Sequence, residues 1–162
     1  MNNIQTADGE EVLRALVEAS VAGTMVVNQD SIVEMVNAPL LRIFGYPEDR
    51  ITGQSLDKLI PMDRRQAHHN HTAKFFDKPS SKTMADKRLV YGLHKEGHQF
   101  PVEVKLTPIS LNGKVYVVTV VTDVTIQNKI KDWNTLLFIA FEESINGIYL
   151  IDSQSLKFND LN

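Results

Sequence analysis

Arg88-Leu89-Val90-Tyr91-Gly92-Leu93-His94, then Lys95-Glu96-Gly97-His98, then Gln99-Phe100-Pro101-Val102-Glu103-Val104-Lys105-Leu106: this is the stretch whose reading decides the fold. Leu89, Tyr91 and Leu93 recur at every second position, as do Phe100, Val102, Val104 and Leu106, the period of strands with one face in a core. The tetrapeptide between them holds Gly97, whose access to positive φ suits a tight turn between right-twisted strands. The stretch is a β-hairpin. The next run, Lys114 to Asp123, is apolar at nearly every position, which predicts a strand covered on both faces at the centre of the sheet.

Upstream, a short amphipathic helix starts at Asp8 or Gly9 with Val12, Leu13, Leu16 and Val17 at helical spacing and Glu10 and Glu11 at its positive end. Gly23 to Asn28 and Ser31 to Asn37 read as a first hairpin around Gln29-Asp30. Small helical pieces follow: Pro39 to Phe44, ended by Gly45; Pro47 to Arg50; Ser55 to Lys58; and a longer helix capped by Asp63 that runs through His68 to about Phe76. Pro79-Ser80-Ser81 leads back to the second hairpin. Two strands, helices, then three strands predict an α+β domain, with five strands in one antiparallel sheet and the short helices on one face.

A chain of 162 residues with net charge −3 can bury one substantial core. Its Lys and Arg are scattered rather than striped, which argues against nucleic acid. The absence of cysteine excludes disulfides, thiolate metal sites, cysteine nucleophiles and a cysteinyl flavin adduct. No apolar run approaches the roughly twenty residues that span a bilayer, and the amino terminus is polar, so a cytoplasmic domain is expected. Signatures of catalysis are missing as well: no phosphate-cradling glycine loop, no serine elbow, no metalloprotease motif and no spaced carboxylate pair, so no enzymatic activity is expected within these residues.

After Asp123-Val124-Thr125 a new helix carries Ile126, Ile130, Trp133, Leu137 and Ala140 at intervals of four and three, the seam of a coiled coil or of a helix packed on its own domain. Glu142 to Asp152 aligns without a gap on Glu18 to Asn28, with Glu, Ser and Gly coinciding, so the start of a second copy of the domain is expected there. The resulting division is a flexible terminus at 1–9, a domain at 10–125, a linker helix at 126–143 and the first hairpin of a truncated repeat at 144–162.

In order and spacing the chain resembles a PAS (Per-ARNT-Sim) sensory domain. The matching pieces are Glu18-Ala19-Ser20 with Gly23, Val36-Asn37-Ala38, Phe44-Gly45-Tyr46, Gly53, the hairpin from Lys95 to Val104, and Asp123-Val124-Thr125. The resemblance implies a sheet cupped by helices around a pocket. It also implies a sensory input role in a signal-transduction protein such as a histidine kinase or diguanylate cyclase, with a downstream effector domain in cis. Asp123 and Thr125 would then relay the signal into the exit helix, and a homodimer is expected through the apolar stripes of the first and last helices.

For the pocket, the resemblance implies His68, Arg88, Val104, Leu106 and Val118 as ligand-binding residues. In haem-binding oxygen sensors of the family the iron is held by a histidine on the long helix, and an arginine on the next strand serves the gas. Ungapped alignment places His68 and Arg88 there, with Val104 and Leu106 on the distal side, whereas Asp86 and Lys87 are more polar than the gas sensors carry. Haem-free members also resemble the chain at both positions, so the cofactor stays open; only a redox flavin remains on that side. His68 and His71 lie one helical turn apart without an evident third ligand, which argues against zinc, and His69 is expected in water. Three readings follow: a small-ligand sensor, a ligand-free dimerisation and relay module, and a haem gas sensor. A pocket beneath His68, Arg88 and Leu106 filled by the chain's own side chains fits the relay, and a cavity of several hundred cubic ångströms the sensor.

Overall fold

The computed structural model describes residues 6–77, 82–83 and 90–140, so Arg88, its neighbours Asp86 and Lys87, the loop at Pro79 and the repeat expected at 144–162 lie outside the described residues. The chain forms two compact units, 1–124 and 125–162.

In the first unit the elements are α1 (Thr6–Ala19), β1 (Gly23–Val27), β2 (Val33–Val36), α2 (Ala38–Phe44), three 3-10 turns (Glu48–Arg50, Leu56–Leu59, Met62–Arg64), α3 (Arg65–Asp77), β3 (Lys82–Thr83), β4 (Val90–Leu93), β5 (Gln99–Leu111) and β6 (Lys114–Asp123). Every strand pair is antiparallel. The order is β2-β1-β6-β5, and the far side of β5 is shared by β4, opposite Gln99 to Val102, and the short β3, opposite Lys105 and Leu106. The sheet is therefore five strands wide, with β6 at its centre as its continuous apolar run predicts. Strand β5 continues past Leu106 to Leu111 because Asn112 (φ 52°) and Gly113 (φ 75°) close a two-residue turn onto Lys114. Positive φ at both central positions matches the right-handed twist of the flanking strands.

Alternation sorts the side chains onto two faces. Val117, Thr119 and Val121 of β6 are buried on one, together with Met25 and Val27 of β1 and Phe100 and Val102 of β5. The small helices cover this face: Leu40, Phe44, Ile51 and Leu59 are all buried in the same cluster. Phe44 and Phe100 meet edge to face, centroids 5.3 Å apart. Gly92 lets them do so, because a Cβ there would lie 2.8 Å from Phe44 Cε1 and 3.1 Å from Phe100 Cζ. The opposite face takes α1, whose Val17 packs with Val26 and Met35, joined by Leu13, Tyr116 and Val118. That face is only half covered, so Val118 and Val120 are partly exposed and β6 is less evenly buried than its sequence suggests.

Asn37 joins these parts and is 2% exposed. Its Oδ1 accepts from Thr24 N at 2.8 Å and Leu40 N at 3.0 Å; its Nδ2 donates to the carbonyls of Val17, Ser20 and Ala22 at 3.1, 3.1 and 2.8 Å. One side chain thus caps α2, ties down the end of α1 and meets β1. Helix α2 has Pro39 in its first turn and ends at Gly45 in the left-handed region, as expected. The entry to α3 differs. Asp63 lies inside the 3-10 turn Met62–Arg64, whose N-cap is Pro61, because Pro61 and the Arg64 N–H to Pro61 carbonyl bond tighten the chain before the α-helix begins.

In the second unit, residues 125–140 are helical. Ile126, Ile130, Trp133 and Leu137 on the expected seam are exposed, and so are Leu136, Phe138 and Ile139. Among the described residues no helix is long and apolar enough to cross a membrane.

Candidate functional site: an apolar cavity under helix α3

The covered face of the sheet is not filled. Between β1, β6, β5 and β4 on one side and α2, the 3-10 turns and α3 on the other lies a cavity of about 120 Å³. Its floor is set by strand parity: Met25 pairs with Thr119, Leu106 with Thr119 and Val104 with Val121, so these side chains share a face. Its roof is α3, which contributes His68, His71, Thr72, Phe75 and Phe76. The lining is apolar apart from those imidazoles, two threonines and Tyr91.

The roof is lightly fastened. Within α3 only Phe75 is buried. Polar contacts hold its N-terminal part and the turn before it: Arg64 of that turn lies over the Tyr91 ring at 5.1 Å, Arg65 Nε donates to the Ile60 carbonyl at 3.2 Å, and His69 Nε2 reaches the Asp57 carboxylate at 2.8 Å. Solvent-facing pairs of this kind are each worth about 1 kcal/mol or less. His69 therefore has a carboxylate partner rather than water alone.

His68 is half-buried at the wall. Burial pushes its pKa below the ordinary 6.5; the Asp57 carboxylate opposes this, and His69 and His71 add to the depression. The imidazole is neutral near pH 7, with Nδ1 3.4 Å from the Thr72 hydroxyl, which itself donates to the His68 carbonyl at 3.0 Å. His68 thus joins His71, Thr72, Thr119 and Tyr91 as one of the few groups able to donate or accept a hydrogen bond in an otherwise apolar wall.

His68, Val104 and Leu106 all line the cavity. Val118 does not: it faces α1 across the other side of the sheet, one residue out of phase with Val117 and Thr119. Arg88 lies outside the described residues. Asp123 ends β6 opposite Val102, and Thr125 opens the helix at 125–140. Met25, Thr72 and Thr119 line the cavity without having been singled out by sequence, and so do Phe44 and His71, which the sequence marked for other reasons. For Met25 and Thr119 a signal existed: the Asn112-Gly113 turn pairs Leu111 with Lys114, and counting back along the ladder sets Leu106 opposite Thr119.

The volume lies between the two sequence expectations. An apolar cavity of about 150 Å³ accepts a benzene-sized molecule or xenon, whereas drug- and cofactor-sized ligands need about 300 Å³ or more. The space is unfilled by the chain's own side chains and far smaller than several hundred cubic ångströms. A porphyrin or flavin does not fit this geometry, although His68 is of the right ligand type for iron.

Comparison with known proteins places this geometry in a family. The oxygen sensor protein DosP of Escherichia coli is 24% identical over 148 residues, 91% of this chain and 18% of the relative. The sensor protein FixL of Bradyrhizobium diazoefficiens is 22% identical over 116 residues, 72% of this chain and 23% of the relative. The chain therefore spans less than a quarter of the length of these relatives. Among solved structures, the PAS domain of an HTR-like protein from Haloarcula marismortui superposes with a TM-score of 0.59 at 20% identity, covering 72% of this chain and 93% of that one. The Rhodobacter sphaeroides LOV protein gives 0.62 at 17% identity, covering 72% and 67%. These likenesses share the antiparallel sheet and its helical cover, and a family model described as PAS domain matches residues 21–125, so this chain belongs to the PAS domain family.

Proposed function

We propose that this domain is the sensory input module of a larger, cytoplasmic signal-transduction protein, that it binds a small, largely apolar molecule in the cavity under α3, and that it relays occupancy through Asp123 and Thr125 into the helix at 125–140. The observation that carries this reading is the unfilled apolar cavity of about 120 Å³ under a roof fastened mainly by surface contacts. A ligand that fits better when α3 moves outward shifts the population toward that state by its difference in affinity, and by no more. Strand β6 forms the cavity floor and leads directly to Thr125, so a change in the floor has a covalent route outward. Relatives named as sensors support an effector domain in cis, a kinase or cyclase being the expected kind, and the segment itself is read as non-catalytic.

Native mass spectrometry of purified protein, followed by titration with benzene-sized probes, tests the proposal. Retention of a small molecule, or saturable uptake abolished by Thr119→Leu or Val104→Phe, is expected. No uptake by the wild type, with no change in α3 when probes are added, would leave the ligand-free relay as the function. The haem alternative keeps two favourable observations, the neutral His68 at the cavity wall and a relative named as an oxygen sensor, against the lack of room. Expression with added haem is expected to give protein without a Soret band; a Soret band lost in His68→Ala would make it a haem protein.

A further inference from the structure

At the tip of the β4–β5 hairpin, three side chains outside the cavity come together. His94 and His98 face each other across the turn, linked by His94 N–H to the His98 carbonyl at 3.0 Å, and their rings stack with centroids 4.4 Å apart and 24° between planes. Glu96 rises from the turn between them, its Oε2 3.7 Å from His94 Nδ1. Among the described residues this is the one group of three such side chains whose ligand atoms all lie within 4.8 Å of one another. We propose that His94, Glu96 and His98 form a binding site for a divalent transition-metal ion of the zinc class.

The chemistry of the set supports a cation of that class. Two imidazoles and one carboxylate are a common zinc donor set, and three protein ligands leave a fourth position for water. Zinc bonds of about 2.0–2.2 Å place tetrahedral ligand atoms about 3.4 Å apart, close to the His94–Glu96 separation. The Glu96 backbone N–H donates to His94 Nδ1 at 3.3 Å, so that nitrogen is the unprotonated one and its lone pair points into the turn where Glu96 lies; the ion takes the place of this long, exposed hydrogen bond, and the N–H turns to water. The rings must turn out of their stack to share one ion. Rotation about the Cβ–ring bond is soft, and His98 and Glu96 are exposed and free to make it.

The site also bears on the cavity. Lys95 N–H donates to the Phe44 carbonyl at 3.0 Å, His94 lies against Gly45, and Phe44 lines the cavity. An ion that pins the turn therefore pins the loop clasping the end of α2.

Calorimetric titration of the full chain with zinc chloride is the test, alongside His98→Ala, Glu96→Gln and a His69→Ala/His71→Ala control. Because His94 packs against Gly45 and its loss could disturb folding, the exposed His98 and Glu96 are the informative positions. The expected result is one equivalent bound with Kd of about 1–100 μM, weakened at least about tenfold by either substitution and unchanged in the control. Histidine ring resonances of His94 and His98 should shift with zinc. Absence of binding at 1 mM zinc, on the order of the weakest specific affinities, or binding insensitive to both substitutions, would overturn the proposal. The outcome is independent of whether the cavity binds a ligand.

Discussion

Asn37 satisfies five backbone groups with one buried amide, and no other residue type offers two donors and a bivalent acceptor in that volume. Asn37→Ala leaves the Thr24 and Leu40 N–H groups and the Ser20 carbonyl to find other partners, whereas the Val17 carbonyl keeps the Ser20 N–H and the Ala22 carbonyl keeps the Ser20 and Thr24 hydroxyls. At about 1–3 kcal/mol for each buried group left unpaired, partly relieved by water, a net loss of about 3 kcal/mol is expected, read from urea unfolding. Asn37→Asp keeps the acceptor but sets a buried carboxylate oxygen against the carbonyls of Val17, Ser20 and Ala22, so it should cost at least as much as Asn37→Ala. His68 makes a prediction in pH. Its folded pKa lies below the ordinary 6.5, so between the two values the unfolded chain binds more protons and stability rises with pH. The wild type should lose stability as pH falls below 6.5 and level off once pH passes the folded value. Asp57, His69 and His71 face the same group, so the measurement is the difference in urea midpoint between wild type and His68→Gln at pH 7.5 and 5.5. An unchanged difference would show that burial does not hold His68 neutral. At this scale the sequence was partly legible: Asn37 and His68 stood out by resemblance, but the hydrogen-bonding of Asn37 joins residues up to 20 apart in the chain and no local pattern contains it.

Among the elements, those with a strict two-residue period were legible and those without it were not. Phe100, Val102, Val104 and Leu106 announced their face, and three of them line the cavity. Strand β6 has Val at both parities, so its own pattern gives its central position but not its phase; only the register from the Asn112-Gly113 turn does, and without it Val118 was put on the wrong side. The α3 start was misread for a related reason: Asp63 has the chemistry of a cap, but Pro61 decides the local geometry. The weak fastening of α3 yields the prediction for this scale. Its amides should exchange with deuterium well before those of β6, whose flanking strands β1 and β5 bond to it on both sides. A cavity ligand should slow α3 and leave β6 nearly unchanged. Equal protection of α3 and β6 in the unliganded protein would contradict a yielding roof.

At the scale of the molecule, the apolar surface left open matters most. On α1, Val12 and Leu16 are 53% and 65% exposed although Val17 and Leu13 of the same helix are packed, so the helix has a second apolar stripe that its own domain does not use. The helix at 125–140 exposes Trp133 at 63% and Phe138 at 63% together with four further Leu and Ile side chains besides Ile126. Scattered exposed apolar residues are ordinary, but contiguous ones at helical spacing are those that associate. A symmetric dimer through such stripes holds two sensory domains in register, which is what a relay into paired effectors requires. Light scattering of the full chain at high concentration should give a dimer. Leu16→Glu, and separately a chain ending at Val124, should each raise the dissociation constant at least about tenfold, the equivalent of about 1.4 kcal/mol. A monomer in the wild type at the highest concentration measured would mean that these stripes are covered by other segments of a longer protein, and the relay would then have to run through contacts within one chain.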